Sequence, residues 1–71
     1  MSSPVISELE RHVLERTGHR IRGLHVEQEP ERVVLHGQTA SYYIKQLAQS
    51  GVRDLLPEVE LENDIVVAVL R

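Results

Sequence analysis

Four histidines, His12, His19, His25 and His36, are the soft metal ligands of this chain, because the sequence contains no cysteine. A zinc site needs three or four ligands converging on one point. His12 and His19 lie seven residues apart, but Gly18 is placed to end a helix between them, so they do not pair. His25 and His36 fall on two strand-like runs and would share the outer face of a hairpin, roughly diagonal to one another. Glu60, Glu62 or Asp64 would come near them if the last strand pairs beside the second. Nothing in this spacing forces convergence, so the expectation is exposed strand histidines, no metal and no cofactor. Nucleophilic chemistry fares no better. Ser7, Ser41 and Ser50 sit on or at the start of helical segments, where capping or solvation accounts for them. None lies in a G-x-S-x-G elbow or beside a histidine. The four glycines are isolated, which leaves no phosphate-cradling loop. Carboxylate pairs abound, but each fits an exposed helix or strand face. The residues predict a protein that binds something and is not an enzyme.

The elements that would position these residues follow from hydrophobic period. Ser3 followed by Pro4 is a helix start, a hydroxyl cap and then proline at the first helical position. Val5, Ile6, Leu9 and Val13 recur at helical spacing, and Gly18 stands where a helix-ending glycine belongs. The first helix is predicted from about Pro4 to Thr17. The period then changes to two. Leu24 and Val26 alternate with His25 and Glu27, Gln28-Glu29-Pro30-Glu31 turns, and Val33 and Leu35 resume the alternation, which reads as a β-hairpin. Ser41 caps a second helix carrying Ile44, Leu47, Ala48, Val52, Leu55 and Leu56, and Pro57 stops it. Gly51 falls on its buried stripe, where a glycine costs about 1 kcal/mol against alanine; close approach of the helix backbone to the sheet would justify it. A final strand carries Val59, Leu61, Ile65 and Val67 on one parity. The fold class is therefore α+β, in the order α-β-β-α-β, with two helices on one face of a mixed three-stranded sheet. The expected core is Val5 or Ile6, Leu9, Val13, Leu24, Val26, Val33, Leu35, Ile44, Leu47, Ala48, Val52, Leu55, Val59, Leu61, Ile65 and Val67.

Size and charge bound the rest. Seventy-one residues make one domain, which fills the chain and buries only about 60% of its unfolded surface. Such a core supplies roughly 3–5 kcal/mol. Val, Leu and Ile must build it, since there is no Phe or Trp and there are two Tyr. The net charge of −3 argues against nucleic acid, whose binders are usually basic. No apolar run approaches the roughly 20 residues that span a bilayer, and the first residues lack a basic and apolar leader, so the chain as written is expected in the cytoplasm.

One stretch resembles a known family. Val33-Val34-Leu35-His36-Gly37-Gln38-Thr39 runs into a helix opened by Ser41, and Leu56-Pro57-Glu58-Val59 leads to Leu61-Glu62-Asn63-Asp64-Ile65-Val66-Val67. This arrangement resembles the BON domain, a small bacterial module of osmotically induced periplasmic proteins, secretins and other envelope proteins. Gly37, Ser41, Asn63 and Ile65 stand at the family's recurring positions, and the likeness covers the chain from the first helix onward. Glu58 departs from it, since the family commonly has a glycine there. Most members are exported, whereas no export signal is present here. The resemblance implies a binding module for phospholipid or other envelope components. The residues agree physically: a glycine at a strand end lets backbone approach closely, and an asparagine at a buried parity can tie off backbone groups.

Two surfaces are candidates for that binding. Arg16, His19, Arg20 and Arg22 form a basic cluster around the first turn. It would either neutralise the end of the first helix or contact lipid phosphate, with Tyr42 and Tyr43 as interfacial anchors. The second surface is the sheet face that two helices cannot cover. There Val34, Val66, Ala68 and Leu70 would line an apolar strip beside His25 and His36, the kind of patch that marks a protein interface. A strand edge open to pairing would add to it, and Val34→Glu should then spare the fold. The leading expectation is a module for phospholipid or for a protein partner. The alternatives are a structural homodimer through the open sheet face and a small RNA-binding domain, although the G-x-x-G loop and the aromatic sheet platforms of RNA binders are absent.

Overall fold

The computed structural model describes residues 4–68, with side chains from Ile6 onward. The expected cap Ser3, the core candidate Val5 and the face residue Leu70 lie outside the described residues. Five elements follow one another: α1 (Pro4–Arg16), β1 (Arg22–Gln28), β2 (Arg32–Thr39), α2 (Tyr42–Leu55) and β3 (Glu60–Val67). The sheet order is β1-β2-β3. β1 pairs antiparallel with β2, and β2 pairs parallel with β3. This is the α+β arrangement that the hydrophobic periods predict.

Local chemistry ends each element where the sequence suggests. Gly18 takes φ 64° and His19 φ 58°, a left-handed pair that stops α1, and the His19 N–H returns to the Leu14 carbonyl at 2.8 Å. Thr17, 2% exposed, satisfies its buried hydroxyl by donating to the Val13 carbonyl at 2.8 Å. Ser41 caps α2 with its side chain accepting from the Ile44 N–H. Leu56 closes α2 through an N–H to the Val52 carbonyl, and Pro57 prevents continuation.

Leu9 and Val13 from α1, Ile44, Ala48 and Val52 from α2, and Val26, Val33, Leu35 and Ile65 from the sheet form one buried cluster, with Ile21 beside them. Ile6, Leu24, Leu47, Leu56, Val59 and Leu61 are partly buried against it. Three expectations need correction. Leu55 is 44% exposed, although it continues the spacing of the buried Ala48, Gly51 and Val52; it is the last residue of α2. Ile21, 6% exposed, joins the core from outside the strand: a shift of register between Arg22 and His25 breaks the alternation around it, and Gly23 has φ 61°. Val34 lies on the outer face yet is only 3% exposed; it is central, flanked in register by Glu27 and Glu62.

Two glycines explain close approaches. A Cβ on Gly51 would lie 3.3 Å from the Val13 Cα, so the contact that requires glycine is between the helices and not, as predicted, between helix and sheet. Gly37 has φ 155°, and a Cβ there would meet the Ile21 Cγ2 at 2.7 Å. The residue leaves room for Ile21 to turn into the core.

Both sheet edges are blunted by a side chain. On β1 the Val26 N–H donates to Glu10 Oε2 from α1 at 3.1 Å. On β3 the Ile65 N–H donates to Asn63 Oδ1 at 3.2 Å. The same Asn63 side chain donates to the Lys45 carbonyl of α2 at 2.9 Å. The predicted tie-off by asparagine therefore joins β3 to a helix, and the edges are less open to strand addition than the sequence suggests.

Candidate functional site

At one end of the molecule the connection from α1 into β1 meets the connection from β2 into α2. Thr39, 5% exposed, joins them by donating its hydroxyl to the Arg20 carbonyl at 3.0 Å. Arg20 and Arg22 are exposed and line a shallow cavity of about 150 Å³ with Gln38, Thr39, Ala40 and Ala68. Among the described residues neither arginine makes an ion pair. The sequence explains this, because no acidic residue occurs between Glu15 and Glu27 or between Glu31 and Asp54. His19 is exposed at the same turn. Two residues beyond Ala40, Tyr42 and Tyr43 open α2 and are 64% and 66% exposed.

Arg16 leaves this cluster. Its Nε lies 3.1 Å from Asp54 Oδ2, and His12 Nε2 lies 3.0 Å from the same oxygen. The His12 hydrogen bond first, and the Arg16 charge with it, hold the Asp54 carboxyl below its ordinary value. Arg16 and Tyr42 border a wider open groove along α2 with Lys45 and Arg53. Of the six residues predicted for anion contact, Arg20 and Arg22 line one cavity, Tyr42 borders another with Arg16, and Arg16 is turned toward Asp54.

The outer sheet face is more polar than predicted. His25 and His36 are direct cross-strand partners, not diagonal ones, and their rings stack with centroids 5.9 Å apart. Arg32 lies 2.7 Å from Glu29 Oε1 and 3.0 Å from Glu62 Oε1. Beside Glu62, the hydrogen bond and charge of Asp64 push its carboxyl above the ordinary value despite Arg32. Of the expected apolar strip, Val34 is covered, Ala68 is half-buried at the Arg20 end, and Val66 alone is well exposed at 59%. The predicted protein-interface residues His25, Val34, His36, Val66 and Ala68 therefore share a face without forming a continuous apolar surface.

Three polar residues, Glu27, Thr39 and Glu10, have structural duties beyond those the sequence predicts. Glu27 stands near both histidines, and its place two residues after His25 on one strand puts it on the same face. Thr39 and Glu10 act across sequence separations that no local pattern reports. As the side chains stand, no group of three or more His, Asp or Glu among the described residues surrounds a common point as a metal-holding cluster. Among the described residues no helix is long and apolar enough to cross a membrane. Comparison with protein families, with characterised proteins and with solved structures finds no match for the chain.

Proposed function

We propose that the chain is a non-catalytic binding module, BON-like in organisation, that docks on an anionic phospholipid surface through the end holding Arg20, Arg22, Tyr42 and Tyr43. One observation carries this reading: Arg20 and Arg22, without carboxylate partners among the described residues, line a cavity with Ala40, and two residues on from Ala40 stand Tyr42 and Tyr43, almost two-thirds exposed. Guanidinium groups meet phosphate bidentately, and tyrosine suits the boundary between headgroup and acyl chain. Each basic side chain near an anionic leaflet is worth about 1 kcal/mol. That local attraction operates against a net charge of −3 because the acidic residues lie elsewhere along the chain.

The alternatives have less support. A three-stranded face about 14 Å wide and 26 Å long offers well under the roughly 800 Å² per partner of a stable interface. Its one large exposed aliphatic among the described residues is Val66. For RNA, the tyrosines stand on a helix and not on a sheet platform.

The test compares amide NMR spectra with vesicles of phosphatidylcholine alone and of phosphatidylcholine mixed with phosphatidylglycerol. Response to the anionic vesicles alone, centred on residues 18–22 and 40–43, is expected. The Arg20→Gln/Arg22→Gln variant should lose about 2 kcal/mol, roughly thirtyfold in affinity. Equal response to both vesicles, or shifts centred on the outer sheet face, would overturn the assignment.

A further inference from the structure

The outer sheet face holds a cluster of ligating side chains that lipid docking leaves unused. Because His25 and His36 are cross-strand partners, the backbone itself sets their Cβ atoms about 5 Å apart. The Nε2 of each ring comes near the same oxygen. Glu27 Oε1 lies 3.9 Å from His25 Nε2 and 3.4 Å from His36 Nε2. Ligands of a tetrahedral zinc ion, bound at 2.0–2.1 Å, stand about 3.3 Å from each other. The separation of each histidine nitrogen from Glu27 is therefore close to that of two ligands in one coordination shell.

A second observation points the same way. Among the described residues the buried His36 Nε2 has no hydrogen-bond partner, although Glu27 Oε1 lies 3.4 Å away. A buried imidazole nitrogen left unsatisfied calls for an explanation, and an ion is one. A carboxylate also stands near the far nitrogen of His25, outside hydrogen-bond distance. Glu10 Oε2 lies 4.0 Å from His25 Nδ1, and the Val26 N–H holds that carboxylate at 3.1 Å. A carboxylate behind the far ring nitrogen is the usual device that fixes a ligating histidine's tautomer. Asp64 stands opposite His36 on β3.

We propose that His25, His36 and Glu27 form an open cross-strand site for a divalent transition ion of the zinc, nickel or copper class, with water completing the shell. The site closes on binding: Glu27 and His25, with side chains 49% and 61% exposed, are free to swing inward. Two imidazoles and a carboxylate select this class over magnesium or calcium, which prefer all-oxygen shells. The bound ion would clamp β1 to β2 next to the register shift between Arg22 and His25, the least regular part of the ladder.

The test is an NMR titration of the whole chain with zinc sulfate, following the histidine ring and amide signals, with magnesium sulfate as control. Zinc should shift His25, His36 and their strand neighbours, spare His12 and His19, and be reversed by a chelator. The melting temperature should rise with zinc concentration, as mass action requires. His25→Gln and His36→Gln should each weaken binding at least tenfold and Glu27→Gln by less, with the amide spectrum confirming that each variant is folded. Vesicle binding should be unchanged in all three. An unchanged spectrum at large zinc excess, or wild-type binding by the His25→Gln/His36→Gln double variant, would overturn the proposal. Shifts centred on His12 and Asp54 would do so too.

Discussion

Val33 and Val34 are neighbours on the central strand, 1% and 3% exposed, but different things remove them from water. Val33 belongs to the cluster under the helices, with Leu35, Ile65 and Val26 around it. Val34 points the other way and has no second layer above it. Its neighbours in register are Glu27 and Glu62, and Arg32 and His36 flank it along β2. Long charged side chains cover apolar surface with their stems while their heads stay in water. The same degree of burial therefore rests on rigid packing on one face and on adaptable side chains on the other.

The largest expected effect lies on the rigid side. Val33→Ala removes two methyl groups, about 1.6 kcal/mol of transfer, and leaves a cavity that the helices cannot fill, for a total of about 2–3 kcal/mol. In so small a domain that is half or more of the stability, and denaturant unfolding would report it. Next comes Val34→Glu. The sequence alone predicts that this change spares the fold, whereas the structure places the new carboxylate between Glu27 and Glu62. A loss of about 1–2 kcal/mol is expected, partly restored by high salt. Val34→Ala should cost only about 1 kcal/mol, because the covering side chains collapse onto the gap. If it matched Val33→Ala in the same melts, the outer cover would be as rigid as the inner one.

The smallest effect concerns two carboxyls on different surfaces. Asp54, lowered by His12 and Arg16, supports folding above its unfolded value, and that support fades as pH falls through its lower folded value. Glu62, raised chiefly by Asp64, has the opposite sign: its charged form opposes folding, and acidification relieves the strain. Carboxyl NMR titration should place Asp54 below the ordinary range and Glu62 above it. Reversal of that order would mean that Arg32, not Asp64, governs the acidic strand.

Much of the fold is legible in the sequence, because period and capping are local signals. Ser41, Gly18, Pro57 and the alternation around Val33 each mark a boundary that the structure respects. Contacts between elements are harder to read. Nothing near Gly51 says that its neighbour is Val13 and not the sheet. Ile21 sits between two arginines and reads as loop until the register shift after Arg22 is known. Val34 obeys its parity, but parity reports direction and not cover. For the candidate site, the basic turn and the tyrosines are visible in the sequence, whereas the capture of Arg16 by Asp54 depends on how two helices cross.

The amides tied up by Glu10 and Asn63 narrow the ways in which this chain can be recognised. Strand addition is permissive, because a backbone edge accepts nearly any extended peptide. With a central amide of each outer strand already occupied, strand addition forgoes a bond at either edge, and more of the recognition falls to side chains, whose identity changes one residue at a time. Selectivity in such a protein is therefore open to gradual retuning by surface substitution, and the scaffold beneath need not change to follow it.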